Sequence, residues 1–399
     1  MRSHFAQRMQ HVKPSAIREM LAFGADQELI SLAGGYPDAT MFPVKELEES
    51  LRTAVVENGK ESLQYTLSAG IPRLRAQIAD RMTKGGVPCA ADEIQLLNGS
   101  QQGLDLLGKL FINKGDLVIT EGPTFLGAPI TLAPFEPRHI AISMDAEGLD
   151  VDELRRVLER GEKPKLLYTV PDFQNPTGVT LSVERRKRLV ELANEFDFHI
   201  VEDSPYRDLR FHGSHLLPIK SFDTQGRVIY LGSFSKTLVP GFRLGYAIGS
   251  RELIQPLELL KLAADTQCST LNMFAVSIYL DRFDFEGHIR ALQQVYRRKK
   301  EAMVRTIRET FPDSVTTTDP DGGMFAWLTF PDGFDAGQFM SQRAVPEAKV
   351  GFVPGEAFFP VSPRKNHARL SFSMQTEERI EHGVRALGKL LKEKDVFRQ

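Results

Sequence analysis

Two periods of apolar spacing alternate along this chain, and the alternation predicts most of its elements. Short apolar runs bounded by turn residues, at 94–97, 117–120, 166–170, 199–201 and 228–231, read as buried strands. Between them the spacing changes to that of helices. Ser100 opens a helical run over 101–111 with Leu104, Leu107, Gly108 and Phe111 inward; residues 150–160 put Val151, Leu154 and Leu158 on one side. Residues 183–196 turn Leu189, Leu192, Ala193 and Phe196 to the interior. From about Val44 onward this strand–helix alternation predicts an α/β fold, a mostly parallel sheet with helices on both faces. After Gly249 the pattern becomes helical, and 289–310 is long enough to lead into a second region. There, short strands at 324–330 and 368–372 and a last helix over 377–391 predict a smaller α+β domain.

The expected organisation is therefore an N-terminal arm with part of the small domain (1–43), a large domain (44–295) and a small C-terminal domain (296–399). Within the arm, residues 16–23 are helix-like and stop at Gly24. Gly34-Gly35-Tyr36-Pro37 follows as a loop whose backbone can approach a ligand.

Five of the predicted strands are each followed by polar or reactive residues. These are Ser100; the stretch ending in Phe125; Asn175 in a Gln-Asn-Pro-Thr-Gly run; Asp203 with Tyr206 close behind; and Lys236. In open α/β sheets, ligands bind beyond the carboxyl ends of the strands. Five such residues in succession make a site.

Composition narrows the classes. The chain is 399 residues, 42% hydrophobic and 26% charged, enough for a sizeable core. A net charge of -2 and a pI near 6.5 give no field that favours nucleic acid or an anionic membrane. The basic clusters 185–188 and 297–300 read as solvated helix faces. Two cysteines make no disulfide framework or four-cysteine zinc site, and the nine histidines show no metal-ligand spacing, so no metal is expected. The N-terminus has no apolar leader and no run reaches spanning length, so a cytoplasmic protein is expected.

The chemistry centres on 227–245, RVIYLGSFSKTLVPGFRLG. A lysine after a strand, among hydroxyls, suits a phosphate-binding P-loop or an amine that forms a Schiff base with an aldehyde. The P-loop needs glycines where this chain has Ser235 and Tyr230, so that reading fails. A ligand with a phosphate, a pyridine ring and an aldehyde gives each rim residue a task. Ser100 and the amides of Gln101 and Gln102, at a helix N-terminus, suit the phosphate. Ser233 and Ser235 add hydroxyls and Arg243 a forked cation. Asp203 can keep a ring nitrogen protonated, Tyr206 and Asn175 can donate to a ring oxygen, and Phe125 can stack on the ring. Lys236 then holds the aldehyde and moves protons, which requires its pKa to fall toward neutrality.

The motifs NGSQQG, EGPTF, QNPTG, EDSPY, SFSKTLVPGFRLGY and ARLSFS, in this order over residues 14–391, resemble fold type I pyridoxal-phosphate enzymes, the class I/II aminotransferases. The branch most similar holds 2-aminoadipate, kynurenine and broad-specificity aromatic or branched-chain aminotransferases. The resemblance implies pyridoxal 5'-phosphate as cofactor and a homodimer with active sites at the subunit boundary. It implies Lys236 as the Schiff-base lysine, Asp203 as partner of the pyridine nitrogen, and Tyr206 and Asn175 as partners of the ring oxygen. Ser100, Gln101, Ser233, Ser235 and Arg243 become the phosphate cup, which Tyr65 reaches from the neighbouring subunit. On the substrate side it implies Arg369 for the α-carboxylate, Gly35 against the substrate, and Arg18 for its side chain or distal carboxylate. The ring-stacking position departs from the tyrosine usual in the branch: here it is Phe125, which keeps stacking and loses a phenol hydrogen bond.

The implied reaction is ping-pong transamination between an aromatic, hydrophobic or 2-aminoadipate-like L-amino acid and a 2-oxo acid such as 2-oxoglutarate. The alternative on the same fold is β-elimination or decarboxylation, which the cofactor residues alone do not separate from it. A regulatory module of this fold with a fused DNA-binding domain is disfavoured by the full catalytic set and the absence of a basic patch.

Overall fold

The structure, a computed structural model, describes residues 4–10, 28–393 and 396–397. The expected arm helix and Arg18 lie outside the described residues.

The strands run in chain order from β1 (Ile30–Ser31) through β2 (Ile94–Leu97), β3 (Leu117–Gly122), β4 (Arg138–Asp145), β5 (Gly148–Leu149) and β6 (Pro164–Thr169). They continue with β7 (His199–Asp203), β8 (Val228–Ser233), β9 (Gly245–Ile248), β10 (Thr316–Thr317) and β11 (Phe325–Thr329). The last three are β12 (Val350–Gly351), β13 (Val353–Pro354) and β14 (His367–Ser371). The principal helices are α1 (Val44–Val56), α2 (Pro72–Lys84), α3 (Ser100–Phe111), α4 (Val151–Glu159) and α5 (Val183–Phe196). They are followed by α6 (Arg251–Asp265), α7 (Thr270–Arg282), α8 (Phe285–Thr310) and α9 (Glu377–Leu391).

Eight strands form one sheet in the order β2-β9-β8-β7-β6-β3-β4-β5. Pairing is parallel from β8 through β7, β6 and β3 to β4; β9 and β5 run against their neighbours. Because β9 is antiparallel to both β8 and β2, those two point the same way. The carboxyl ends of β2, β3, β6, β7 and β8 therefore share one rim. A second sheet, β10-β11-β14-β13, is antiparallel, and β1 pairs in parallel with β12.

Side-chain caps fix where several of these helices begin. Asp150 caps α4 by accepting from the amides of Asp152 and Glu153, and the Ser182 and Thr376 side chains cap α5 and α9. Val151, Leu154 and Leu158 on α4 and Leu189 and Ala193 on α5 pack into one apolar cluster against β3, β6 and β7. On the other side, Tyr296, Met303 and Ile307 of α8 share a cluster with Val384 and Leu387 of α9 and with strands of the small sheet.

Several expectations need correction. The strands β4 and β9 were not anticipated; β4 lies beside the edge strand β5 with only Ile142 fully buried, whereas β9 is short and buried at all four positions. Ile30–Ser31, just ahead of the expected Gly34–Pro37 loop, forms the unanticipated strand β1. The two basic clusters are not solvated faces. Arg186 is fully buried and pairs with Asp172 at 2.8 Å, while Lys299 and Lys300 are buried in pairs with Asp38 at 2.6 Å and Asp319 at 2.8 Å. The first helix turns one cation and the second turns two inward to acids on other segments, which no local periodicity reports. Among the described residues no helix is long and apolar enough to cross a membrane, and no group of His, Cys, Asp and Glu is placed to hold a metal.

Candidate active site

A cavity of about 330 Å³ opens at the shared rim, and its lining includes Ser100, Asn175, Asp203, Tyr206, Lys236 and Arg369. Gln101, Phe125, Ser233, Ser235, Arg243 and Gly35 line it as well. Residues from seven separate segments thus meet in one space.

Lys236 follows β8 by three residues, and its Nζ donates to the Gly35 carbonyl at 2.8 Å. Among the described residues no carboxylate pairs with it. Removal from water, and then the positive charges of Arg369 and Arg243, lower its pKa to about 8. The amine is therefore far closer to its neutral, nucleophilic form than an ordinary lysine.

Asp203 ends β7 and is buried. Its Oδ2 accepts from the Tyr168 hydroxyl at 2.8 Å, while Oδ1 is buried without a hydrogen-bond partner. Burial raises its pKa to about 6, against the lowering effect of Tyr168. A carboxylate with one saturated and one bare oxygen, facing a cavity, fits a ligand that brings a cationic N–H donor.

Asn175 and Tyr206 stand together: the Asn175 amide donates to the Tyr206 hydroxyl at 3.3 Å. The Asn175 carbonyl accepts from Arg369 Nη1 at 2.9 Å, and Arg369 Nη2 donates to Ala33 O at 2.7 Å. Arg369 comes from β14 and is fully buried, with Nε unpartnered. Its guanidinium lies 4.3 Å from the Phe325 ring centroid and 5.0 Å from that of Phe358. Burial lowers its pKa to about 10, so it remains a cation at neutral pH.

The opposite end of the cavity gathers donors. Gly99, at φ +81°, turns the end of β2 into α3, so the helix presents its N-terminus to the cavity. Any side chain at Gly99 would meet Arg243, since a Cβ there would lie 2.6 Å from Arg243 Nη2. The Ser235 amide donates to Ser233 Oγ at 3.1 Å, and both serines line the cavity together with Ser100. The Gln102 amide is not part of this set, because it donates to Gly99 O at 3.1 Å.

Two expected residues stand apart. Tyr65 is 80% exposed and lies beside Gln267 and Thr270, outside this chain's own cavity. Arg18 is outside the described residues. Conversely, Tyr168, Phe325 and the buried Glu121 were not anticipated. Glu121 accepts from Thr169 Oγ1 at 2.5 Å and Gln174 Nε2 at 2.9 Å, so it fixes the loop that carries Asn175. Burial raises its pKa to about 7. Tyr168 and Phe325 were visible only as positions within predicted strands.

A family model described as aminotransferase class I and II matches residues 28–387. Aromatic-amino-acid aminotransferase 1 of Thermococcus litoralis is 40% identical over 395 residues, 98% of this chain and 94% of that protein. The structure of Pyrococcus horikoshii kynurenine aminotransferase, solved with PMP, has a TM-score of 0.94 at 38% identity, covering 98% of this chain and 97% of the other. The structure of the α-aminoadipate aminotransferase of Thermus thermophilus, carrying N-(5'-phosphopyridoxyl)-L-leucine, has a TM-score of 0.91 at 36% identity and covers 98% of each chain.

Proposed function

The chain belongs to the class I and II aminotransferases, pyridoxal-phosphate-dependent enzymes, and from that membership we propose a donor range and a task for each residue of the site. The donors are L-amino acids with aromatic, hydrophobic or 2-aminoadipate-like side chains, and 2-oxoglutarate is the acceptor. The names of the relatives support this range, as does an aromatic and apolar lining at Tyr36, Leu104 and Phe325.

One observation carries the assignment of the site. An amine pushed toward neutrality, Lys236, and a buried carboxylate with one bare oxygen, Asp203, line the same cavity. Pyridoxal phosphate, when bound, supplies an aldehyde for the amino group and a ring that takes up negative charge from the substrate's α-carbon. Asp203 Oδ1 would hold the protonated ring nitrogen. The amides of Ser100 and Gln101, the hydroxyls of Ser233 and Ser235, and Arg243 would hold the phosphate. Asn175 and Tyr206 would donate to the ring oxygen, and Phe125 would cover a ring face.

Lys236 Nζ moves the proton at the α-carbon of the amino acid, a task matched to its pKa near neutrality. Arg369 takes the α-carboxylate; its unpartnered Nε leaves donor capacity for a fork. Keeping that carboxylate bound favours transamination over decarboxylation. Gly35 lies against the substrate, where a side chain would meet Phe325: a Cβ would stand 3.0 Å from its ring.

We assign the active form to a homodimer in which Tyr65 reaches the partner's phosphate site. The exposed Leu63, Tyr65 and Leu67 support this, an apolar stretch outside the chain's own cavity. Arg18 is assigned to the side chain or distal carboxylate of the substrate. Functionally the chain divides into an arm (1–43), a cofactor-binding part (44–295) and a small part (296–399). Two unpaired cysteines, Cys89 and Cys268, accord with a cytoplasmic location.

An amino-donor panel with 2-oxoglutarate, read together with the cofactor's absorbance, tests the proposal. Turnover of aromatic donors or 2-aminoadipate by a yellow protein is expected. A colourless protein that binds no pyridoxal phosphate, or one that releases ammonia or carbon dioxide instead of exchanging amino groups, overturns it.

A further inference from the structure

Residues 33–38 supply two backbone carbonyls to the cations of the site. Ala33 O accepts from Arg369 Nη2 at 2.7 Å, and Gly35 O accepts from Lys236 Nζ at 2.8 Å. Beyond β1 this segment has no helix or strand of its own to hold it until Ala39. It is held from behind by α8. Lys299 Nζ donates to Asp38 Oδ2 at 2.6 Å and to Ser373 O at 2.8 Å. Tyr296, three residues earlier and so on the same helix face, accepts the Asp38 amide at 3.0 Å. Ser373 Oγ in turn donates to Tyr36 O at 2.6 Å.

These gripping side chains are out of water: Lys299 is 5% exposed, Asp38 7%, and Tyr296 and Ser373 fully buried. Asp38 is saturated further by Thr40, whose amide and hydroxyl donate to Oδ1 at 2.9 and 2.7 Å. Burial would raise the Asp38 pKa, but the bonds from Lys299 and Thr40 outweigh it and hold the group below the usual carboxylate range. A buried ion pair is a poor source of stability, because desolvation offsets most of its attraction. Its geometry, with five donors and acceptors converging on one turn of loop, accords better with a positional role.

We propose that the buried Lys299–Asp38 pair, backed by Tyr296, is the positioning device for the substrate-facing loop, fixing the Ala33 carbonyl and through it the aim of Arg369, and holding Gly35 in place against the substrate. Lys299 is then a positioning residue that does not line the cavity, on a helix whose apolar face joins the core under the small sheet. The inference rests on the functional reading above for the identity of the ligand alone. Its consequence is that substrate affinity depends on a buried lysine outside the cavity, while the chemical step does not.

The test compares holoenzyme carrying Lys299→Met, Lys299→Arg or Asp38→Asn with the parent protein. KM and kcat are measured for the preferred donor, and calorimetry gives the Kd of 3-phenylpropionate, an unreactive carboxylate. Lys299→Met is expected to keep the cofactor's absorbance, to raise KM and Kd by about tenfold, and to leave kcat within about threefold. Lys299→Arg, which keeps the charge, is expected to restore most of the affinity. A Lys299→Met holoenzyme with parental KM and Kd overturns the proposal, and so does one that loses kcat at unchanged KM. Should Lys299→Met not fold, the nearly isosteric Asp38→Asn carries the same two outcomes. A parent protein that shows no cofactor absorbance would instead overturn the functional reading, so the two failures are told apart.

Discussion

The two walls of the cavity are built in opposite ways. On the cofactor wall, most residues stand shortly beyond or at a strand's carboxyl end in one sheet: Ser100 after β2, Asn175 after β6, Asp203 on β7 and Lys236 after β8. The substrate wall is assembled from distant stretches. Arg369 reaches Asn175 across 194 residues of sequence and Ala33 across 336, and Gly35 meets Lys236 across 201. The first wall is fixed by a ladder of backbone hydrogen bonds that any substitution at its tips leaves intact. The second depends on side chains, on β14 and α8, that hold a loop. On the proposed assignment, chemistry belongs to the rigid wall, whereas choice of substrate belongs to the assembled one.

Removing the reacting groups of the rigid wall gives the largest effects. Lys236→Ala is expected to cut kcat by roughly a thousandfold or more, since both the covalent step and the proton transfer lose their group. The fold should survive, as Lys236 carries no ion pair; unchanged circular dichroism with lost turnover checks both points. A variant with more than about a tenth of parental turnover breaks the assignment of the wall. Asp203→Ala should follow, with kcat lower by roughly a hundredfold or more. It should also weaken cofactor retention, measured by dialysis and absorbance.

The contrast also explains which parts were legible beforehand. Lys236, Asp203 and Asn175 follow runs whose apolar pattern marks a strand, so their position on a common rim could be inferred from local signals alone. β4 and β9 were missed because β4 mixes polar and charged residues with its apolar ones and buries only Ile142, and β9 is only four residues long and begins at a glycine. The buried cations Arg186 and Lys299 were taken for surface residues, because their helices have ordinary exposed charges on either side. Their partners, Asp172 and Asp38, lie on other segments, and an ion pair over such distances leaves no periodic trace. Tyr168 is hidden for a different reason: on a central strand an aromatic residue reads as core, and only the position of its hydroxyl against Asp203 gives it a polar role.

On the assembled wall, Arg369→Leu is expected to lower kcat/KM for amino donors by roughly thirtyfold to a thousandfold, the range for truncating one member of a buried charged contact. Bound cofactor should remain, seen by its absorbance. If cofactor were lost as well, the two walls would not be separable. A pH measurement separates them again. Burial and neighbouring cations lower the Lys236 pKa from 10.5 to about 8. Only the neutral amine captures an aldehyde, so the rate at which apoenzyme binds pyridoxal phosphate covalently should rise with pH and level off near pH 8. A rate still climbing tenfold per unit between pH 9 and 10 would mean that the lysine titrates as in water. Arg243→Gln, which removes one of the two cations acting on Lys236, should move the plateau to higher pH.

The smallest expected effect is in the layer behind the rigid wall, at Tyr168→Phe. The substitution keeps the ring and removes only the hydroxyl, and with it the 2.8 Å hydrogen bond donated to Asp203 Oδ2. That bond favours the ionised carboxylate, and it opposes burial, which already raises the Asp203 pKa to about 6. A hydrogen bond to a charged group contributes about 1.5–3 kcal/mol. Its loss should therefore raise the Asp203 pKa by roughly one unit or somewhat more. Asp203 is active as the anion, present above its pKa, so the acid limb of the kcat profile should move to higher pH. The plateau itself should fall only about twofold to fivefold. An acid limb that stays in place, with the variant folded and carrying cofactor, would mean that Tyr168 merely packs. Asp203 would then owe its ionisation to the ligand alone, and the rigid wall would be a single layer deep.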